Sequence, residues 1–358
     1  QITPELELGV GTRWTDEERN LSVMNLLPVL TGGPAVPVNV PRPDLETDKW
    51  SPEISLTYTP TDELTLYGNL KKAFRSGSLG IGGGGRPGDD KSFDDEKVKG
   101  GEVGLKSRWL DGALAVNAAG YYYEYDDLQV EAREFDPLNG RVGVRTTNAG
   151  SAEVSGIDLD VTYMPPAVEG LTLFAAANWN TAEYDEFGNA DCWYAQTKSQ
   201  GCNVDLNGDG IGEAQDLSGE PLLRAPDWKA NFGFDYEMSV FDDMTLRIGS
   251  NTSYSDSYSA SSTNYGGAYQ DSYTKTSATV GLLGPNDRWR VEFIGDNLTD
   301  EIVSGSCVPQ GFADTVVVGA DPSVSGTGTA TGGPAGQPET ACYVEPGRSV
   351  WLRLTWNL

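Results

Sequence analysis

The chain has 358 residues, with 25 basic and 53 acidic side chains and no histidine, for a formal net charge of −28. So acidic a balance excludes nucleic-acid binding, which wants a basic stripe, and the missing histidine removes the commonest general base and a common metal ligand. Mean hydropathy is −0.39 and no apolar run reaches the ~20 residues of a membrane helix, yet alternating strands escape such a measure because apolar and polar residues average out.

Period-2 alternation and turn punctuation predict about twelve strands. In chain order they fall at 3–14, 50–59, 63–74, 96–109, 113–131, 142–163, 170–184, 223–238, 244–258, 268–283, 288–302 and 347–358. Each is near or above the ~9–11 residues that a tilted membrane-crossing strand needs. The connections alternate strictly. The short ones are 60–62, 110–112, 164–169, 239–243 and 284–287; the long ones are 15–49, 75–95, 132–141, 185–222, 259–267 and 303–346.

The faces are cleanest late in the chain. Val350, Leu352, Leu354, Trp356 and Leu358 alternate with Ser349, Trp351, Arg353, Thr355 and Asn357. Trp228, Ala230, Phe232, Phe234, Tyr236 and Met238 share one face, and Lys229, Asn231, Gly233, Asp235 and Glu237 share the other. Trp289, Val291 and Phe293 oppose Arg288, Arg290 and Glu292. A soluble β-sandwich also alternates, but its strands usually run ~5–6 residues. One apolar face, short turns on one side and long loops on the other predict an all-β, transmembrane antiparallel β-barrel, with the short turns periplasmic and the long loops extracellular. Parity then puts the C-terminus on the periplasmic side.

Aromatic girdles belong at both ends of such strands. Tyr121, Tyr122, Tyr123 and Tyr125 are expected at an outer end, and Trp109, Trp228, Trp289 and Trp356 near periplasmic ends. Lys71, Lys72 and Arg75 cluster near another outer end. They suit lipopolysaccharide phosphates, an anionic ligand or an ion-pair network facing the lumen.

Several stretches, read in order, resemble the C-terminal part of the barrel of TonB-dependent outer-membrane receptors. They are GVGTRWTDEE (9–18), SPEISLTYTPTDELTLYGNLKKAFRSG (51–77) and GGEVGLKSRWLDGALAVNAAGYYYEYDDLQV (100–130), then TTNAGSAEVSGIDLDVTY (146–163), RAPDWKANFGFDY (224–236), DNLTDE (296–301) and GRSVWLRLTWNL (347–358). The likeness runs along the whole chain. Such receptors have 22-stranded barrels with a plugged lumen, so about twelve strands correspond to the last half. The plug domain and the TonB box are not in this sequence, and 1–358 reads as a single partial barrel domain. A closed barrel of twelve strands is the alternative on counting alone.

The resemblance implies an integral protein of the outer membrane of a Gram-negative bacterium, in contact with lipid and lipopolysaccharide. It implies uptake of a scarce ligand, most often a ferric siderophore, with cobalamin and oligosaccharides as other classes. The energy would come from the TonB–ExbB–ExbD complex through the N-terminal part, and no bond in the ligand changes, so no enzyme activity is expected. A passive porin or a calcium-stiffened adhesin are the competing readings. A barrel enzyme would use a histidine-containing site, which this chain lacks.

All four cysteines fall in two predicted outer loops. Of the three possible pairings, proximity and an oxidising compartment favour Cys192–Cys202 and Cys307–Cys342 as structural disulfides. Just after Cys202 comes DLNGDGIGEAQD (205–216), which fits the calcium-loop spacing D-x-[DN]-x-[DN]-G with an acid at position 12. Asp205, Asn207 and Asp209 are the expected side-chain ligands, Ile211 a backbone ligand, Glu213 a direct or water-mediated one and Asp216 the last. Gly210 permits the sharp turn. Gly212 and Ile211 depart from the usual order, in which the apolar residue comes at position 8. A polar, Gly-rich surface turn is the plain alternative. GIGGGG (80–85) lacks a GK[ST] ending and reads as a loop tip, as does the low-complexity stretch 326–336.

Overall fold

The computed structural model describes residues 1–20, 23–27, 36–40, 44–80, 92–137, 140–193, 196–241, 243–310, 316–317, 330–331 and 339–357. Residues 81–85 of the first Gly-rich tip, most of 326–336 and the terminal Leu358 lie outside them.

Twelve long strands pair in sequence order as one antiparallel meander. They are β1 (Leu6–Arg19), β2 (Leu45–Thr61), β3 (Leu64–Arg75), β4 (Glu96–Trp109), β5 (Leu114–Asp136) and β6 (Arg141–Tyr163). There follow β7 (Leu171–Glu186), β8 (Trp228–Val240), β9 (Met244–Ser255), β10 (Tyr273–Leu283), β11 (Trp289–Asp296) and β12 (Ser349–Trp356). Two short strands, Ala190–Asp191 and Ala214–Gln215, join the same sheet beside β5. Among the described residues β1 and β12 pair only with β2 and β11, so the sheet is open and the twelve-stranded closed barrel is not formed.

Direct cross-strand register carries the apolar face across the sheet. Trp356, Leu354 and Leu352 stand opposite Trp289, Val291 and Phe293. Phe293 faces Val280, Val280 faces Ile248, and Ile248 faces Tyr236. At the far side Leu70 faces Ile54 and Ile54 faces Val10. Many of these side chains are open to the outside: Phe293 is 60% exposed and Leu354 70%. A face of this extent is unstable in water and suits hydrocarbon. The opposite face is polar. There Asn117 donates to Asp160 (3.1 Å), Asn178 donates to Asp158 (2.7 Å) and Arg247 to Asp235 (3.1 Å).

Several predicted boundaries move. β1 runs on to Arg19 and β2 starts at Leu45, because Thr15 to Arg19 continue the ladder with Lys49 to Leu45. Residues 132–136 and 141 are strand rather than loop, so β5 and β6 stay paired out to Asp136 and Arg141. Each has 23 residues, or ~75 Å at ~3.3 Å per residue, well beyond a hydrocarbon layer of ~30 Å. β11 ends at Asp296 instead of 302. Asn297 and Asp300 take positive φ (49° and 61°), which strand backbone does not tolerate. The nearly buried Asn297 side chain then holds the turn, accepting from the Glu301 amide (3.0 Å) and donating to the Glu301 carbonyl (2.8 Å).

Trp228 corrects a girdle assignment. It opens β8 directly below an outer loop and faces Trp179, so it stands at the outer end with Trp179. Trp109, Trp289 and Trp356 lie on the short-turn side. Of the tyrosines, Tyr122 falls on the apolar face, whereas Tyr121 and Tyr123 fall on the polar one, where the Lys71 ammonium sits 5.2 Å from the Tyr123 ring. Lys71 therefore looks into the lumen side and not at lipid.

Candidate functional site

The two apolar clusters among the described residues lie where the outer loops meet the outer strand ends. One cluster joins Ala132 of β5 to Phe187, Ala190 and Leu217, with Tyr184 packed against it. A second joins Tyr258, Ala260, Ala268 and Cys307. Together these loops make a roof over the outer end of β5 to β12.

Within the roof both disulfides are formed. Cys192 bonds Cys202 and Cys307 bonds Cys342, with Cα atoms 5.7 and 4.1 Å apart. The Cys307 pair staples the hairpin of Ser304–Gln310 with Glu339–Val344. The Cys192 pair closes the stretch leading into 205–213.

Residues 205–213 fold as a tight loop closed at its base. Val204 pairs with Ala214, and the Glu213 amide donates to the Val204 carbonyl (2.9 Å). That pairing brings Glu213 beside Asp205. The Asp205 carboxylate accepts the amides of Gly208 (2.7 Å) and Gly210 (2.8 Å), both glycines at positive φ. Those amides, Gly210's foremost, hold the Asp205 carboxyl below the usual carboxylate range. Asp209 accepts the Ile211 amide (2.8 Å). Carboxylate oxygens of Asp205, Asp209 and Glu213 all lie within 4.8 Å of one another.

Three like charges so close repel unless a cation or donors lie among them. The Asn207 amide nitrogen supplies part of this, donating to Asp209 (3.1 Å) and Glu213 (2.7 Å). Its oxygen meanwhile accepts the Asp209 amide (2.8 Å). Asn207 thus presents nitrogen to the cluster and becomes a metal ligand only after its amide turns over. The donor set of Asp205, Asp209 and Glu213 fits a hard, oxygen-seeking cation such as calcium, with the Ile211 carbonyl as the expected backbone contribution.

Asp216 is not brought to this cluster. It lies beyond the Val204–Ala214 pairing, where Ala214 and Gln215 run alongside Asp191 and Ala190. Its carboxylate instead accepts the Ser218 hydroxyl (2.6 Å) and amide (2.9 Å), and these hold its carboxyl below the usual range. Gly212 is explained too: a Cβ there would stand 2.1 Å from the Cys202 carbonyl oxygen, so no apolar side chain fits at that place.

On the polar face of the sheet, a groove of about 610 Å³ lies between Tyr67 and Tyr273, with Asp158, Asp160, Asn178 and Lys229 along it. Sequence reasoning did not single it out, because its residues come together only through the register of many strands.

Residues 1–298 match the family of TonB-dependent receptor-like β-barrels. The chain belongs to this family. It is 31% identical over 134 residues to the metal–pseudopaline receptor CntO of Pseudomonas aeruginosa, a stretch of 37% of this chain and 17% of that protein. Its fold superposes on the ferric yersiniabactin uptake receptor FyuA of Yersinia pestis with a TM-score of 0.67 at 15% identity, over 99% of this chain and 43% of that one. The ferric-catecholate import receptor Fiu of E. coli K12, in its closed form, gives 0.63 at 15% identity, over 99% of this chain and 42% of that one. The chain therefore spans less than half the length of these relatives.

Proposed function

We propose that this chain is the outer-membrane barrel part of a receptor that takes up a metal chelate, a ferric siderophore, with energy delivered through TonB, ExbB and ExbD. The family match over residues 1–298 carries the reading. The continuous apolar face, ending in Leu352 and Leu354, supports an outer-membrane site. The ligand class is taken from the relatives, whose names speak of metal–pseudopaline, ferric yersiniabactin and ferric catecholates. The free edges of β1 and β12 are costly in lipid. We infer that further strands complete the barrel, and that the polar face then lines its lumen. Calcium at Asp205, Asp209 and Glu213 is part of the proposal, as a stiffener of the outer loop rather than a catalyst.

The test is uptake by intact cells. The gene encoding this chain is expressed in a strain without other ferric-chelate receptors. Radiolabelled iron is supplied as a catecholate, a hydroxamate or a phenolate chelate, with and without TonB. Accumulation of at least one chelate only when TonB is present is the expected result. Entry that persists without TonB points to a passive channel, and no receptor-dependent accumulation overturns the reading.

A further inference from the structure

Two glutamines, Gln196 and Gln215, are almost wholly buried in the roof, at 0% and 4% exposure. Neither belongs to the carboxylate cluster of Asp205, Asp209 and Glu213, and each uses its full amide. Gln196 accepts the Trp193 amide (3.0 Å) and donates to the Gln200 carbonyl and to the Gln215 side-chain oxygen (both 3.0 Å). Gln215 donates to the Asp191 carbonyl (2.7 Å) and, across to the next outer loop, to the Thr263 carbonyl (2.8 Å). One side-chain pair thus ties together the disulfide segment 192–202, the strand at 214–215 and the 256–272 loop.

Other bonds extend the same connection. The Arg224 amide donates to the Ser259 carbonyl (3.0 Å), and Asn264 donates to Glu220 (2.9 Å). Trp193 packs against Tyr265 with ring centroids 5.6 Å apart and the ring planes tilted by 45°. The 256–272 loop in turn holds the last outer loop: the Cys307 amide donates to Ala260 (2.8 Å), Tyr258 to the Ser304 carbonyl (3.0 Å), and the Ser304 amide to Gln270 (2.7 Å). On the opposite flank the β5–β6 hairpin is tied in, as the Arg133 amide donates to the Asn189 carbonyl (2.8 Å) and its guanidinium to Asp191 (2.6 Å).

We propose that residues 187–193, 196–227, 256–272 and 303–308 of the outer loops between β7 and β12 are one rigid body, with Gln196 and Gln215 as its positioning residues, and that this part of the outer surface is preformed and does not open loop by loop. The physical reason is that a buried amide left without partners is costly, so separating any one loop orphans groups in its neighbour. Two well-covered apolar clusters and two disulfides make the unit self-supporting, although β-barrel loops generally sit at the low-stability end of a structure.

Hydrogen exchange on the full protein in detergent or lipid, read by peptide, tests this. In the unaltered protein, amides at 190–217, 258–270 and 303–308 are expected to open together, with one shared dependence on denaturant. In Gln215→Leu, which keeps the bulk but removes two donors and an acceptor, exchange at 258–270 is expected to rise about tenfold, reflecting one to two lost hydrogen bonds. The C192S/C202S variant is expected to speed exchange in the same distant segment. Separate opening rates in the unaltered protein overturn the proposal, as does an effect of Gln215→Leu confined to 190–217. The first measurement decides the matter even if a variant fails to assemble.

Discussion

Asp205 shows how much one carboxylate organises. It collects two glycine amides, which fixes the turn at 208–210 and keeps it ionised. A carboxyl whose folded pKa is depressed contributes stability that is present above its unfolded value, near pH 3.9, and lost as pH falls through the folded value. The loop is therefore expected to keep its order down to about pH 4 and to loosen below it. Limited pepsin cleavage beside Leu206 between pH 5 and pH 2 checks this. Asp205→Asn and Glu213→Gln are each expected to weaken calcium binding by roughly tenfold or more, since site charge sets affinity. Asp216→Asn is expected to leave it unchanged, because Ser218 holds Asp216 outside the cluster. Calorimetric titration of the whole protein separates the three. The spacing of 205–213 was legible in the sequence because local turn chemistry writes it. The place of Asp216 was not, because it depends on Ala214 and Gln215 pairing with Ala190 and Asp191, residues more than twenty positions away.

At the scale of elements, the alternation along β12 assigns Leu352 to lipid and Arg353 to the lumen side, where it lies 3.6 Å from Glu292. Leu352→Arg is expected to destabilise by about 2–4 kcal/mol if the position lies near the bilayer midplane. Arg353→Leu takes the partner from the largely covered Glu292 carboxylate at a long 3.6 Å contact and is expected to cost less, about 1 kcal/mol. Urea midpoints in lipid vesicles compare the two. Asn297→Ala should fray the end of β11, as it removes the side-chain bonds to both Glu301 backbone groups, a loss of about 1–3 kcal/mol. Strand existence and order were readable from period-2 patterning. The ends were not: nothing in residues 15–19 or 132–136 shows that they keep a partner strand beyond the membrane, and the stop at Asn297 comes from a backbone turn rather than from a break in alternation.

The whole molecule separates two kinds of packing. The sheet has a belt of exposed apolar side chains that needs lipid, while the water-excluding clusters around Phe187 and Tyr258 sit above it. Phe187→Ala is expected to cost the roof about 3–5 kcal/mol while leaving the membrane strands folded, which exchange by peptide can resolve. The cysteine pairings were readable from proximity within each loop. The roof was not, since its unity rests on contacts such as Gln215 to Thr263 between loops that look independent in sequence.

The central claim is that the short turns face the periplasm and the roof faces the exterior of a membrane barrel. A membrane-impermeant thiol reagent tests it on intact cells carrying Gly266→Cys, in open space on the 256–272 loop, or Val168→Cys, in the 164–170 turn. Labelling of Gly266→Cys in intact cells, with Val168→Cys labelled only after the outer membrane is permeabilised, is the predicted result. Equal labelling of both in intact cells, or the reverse pattern, contradicts the account.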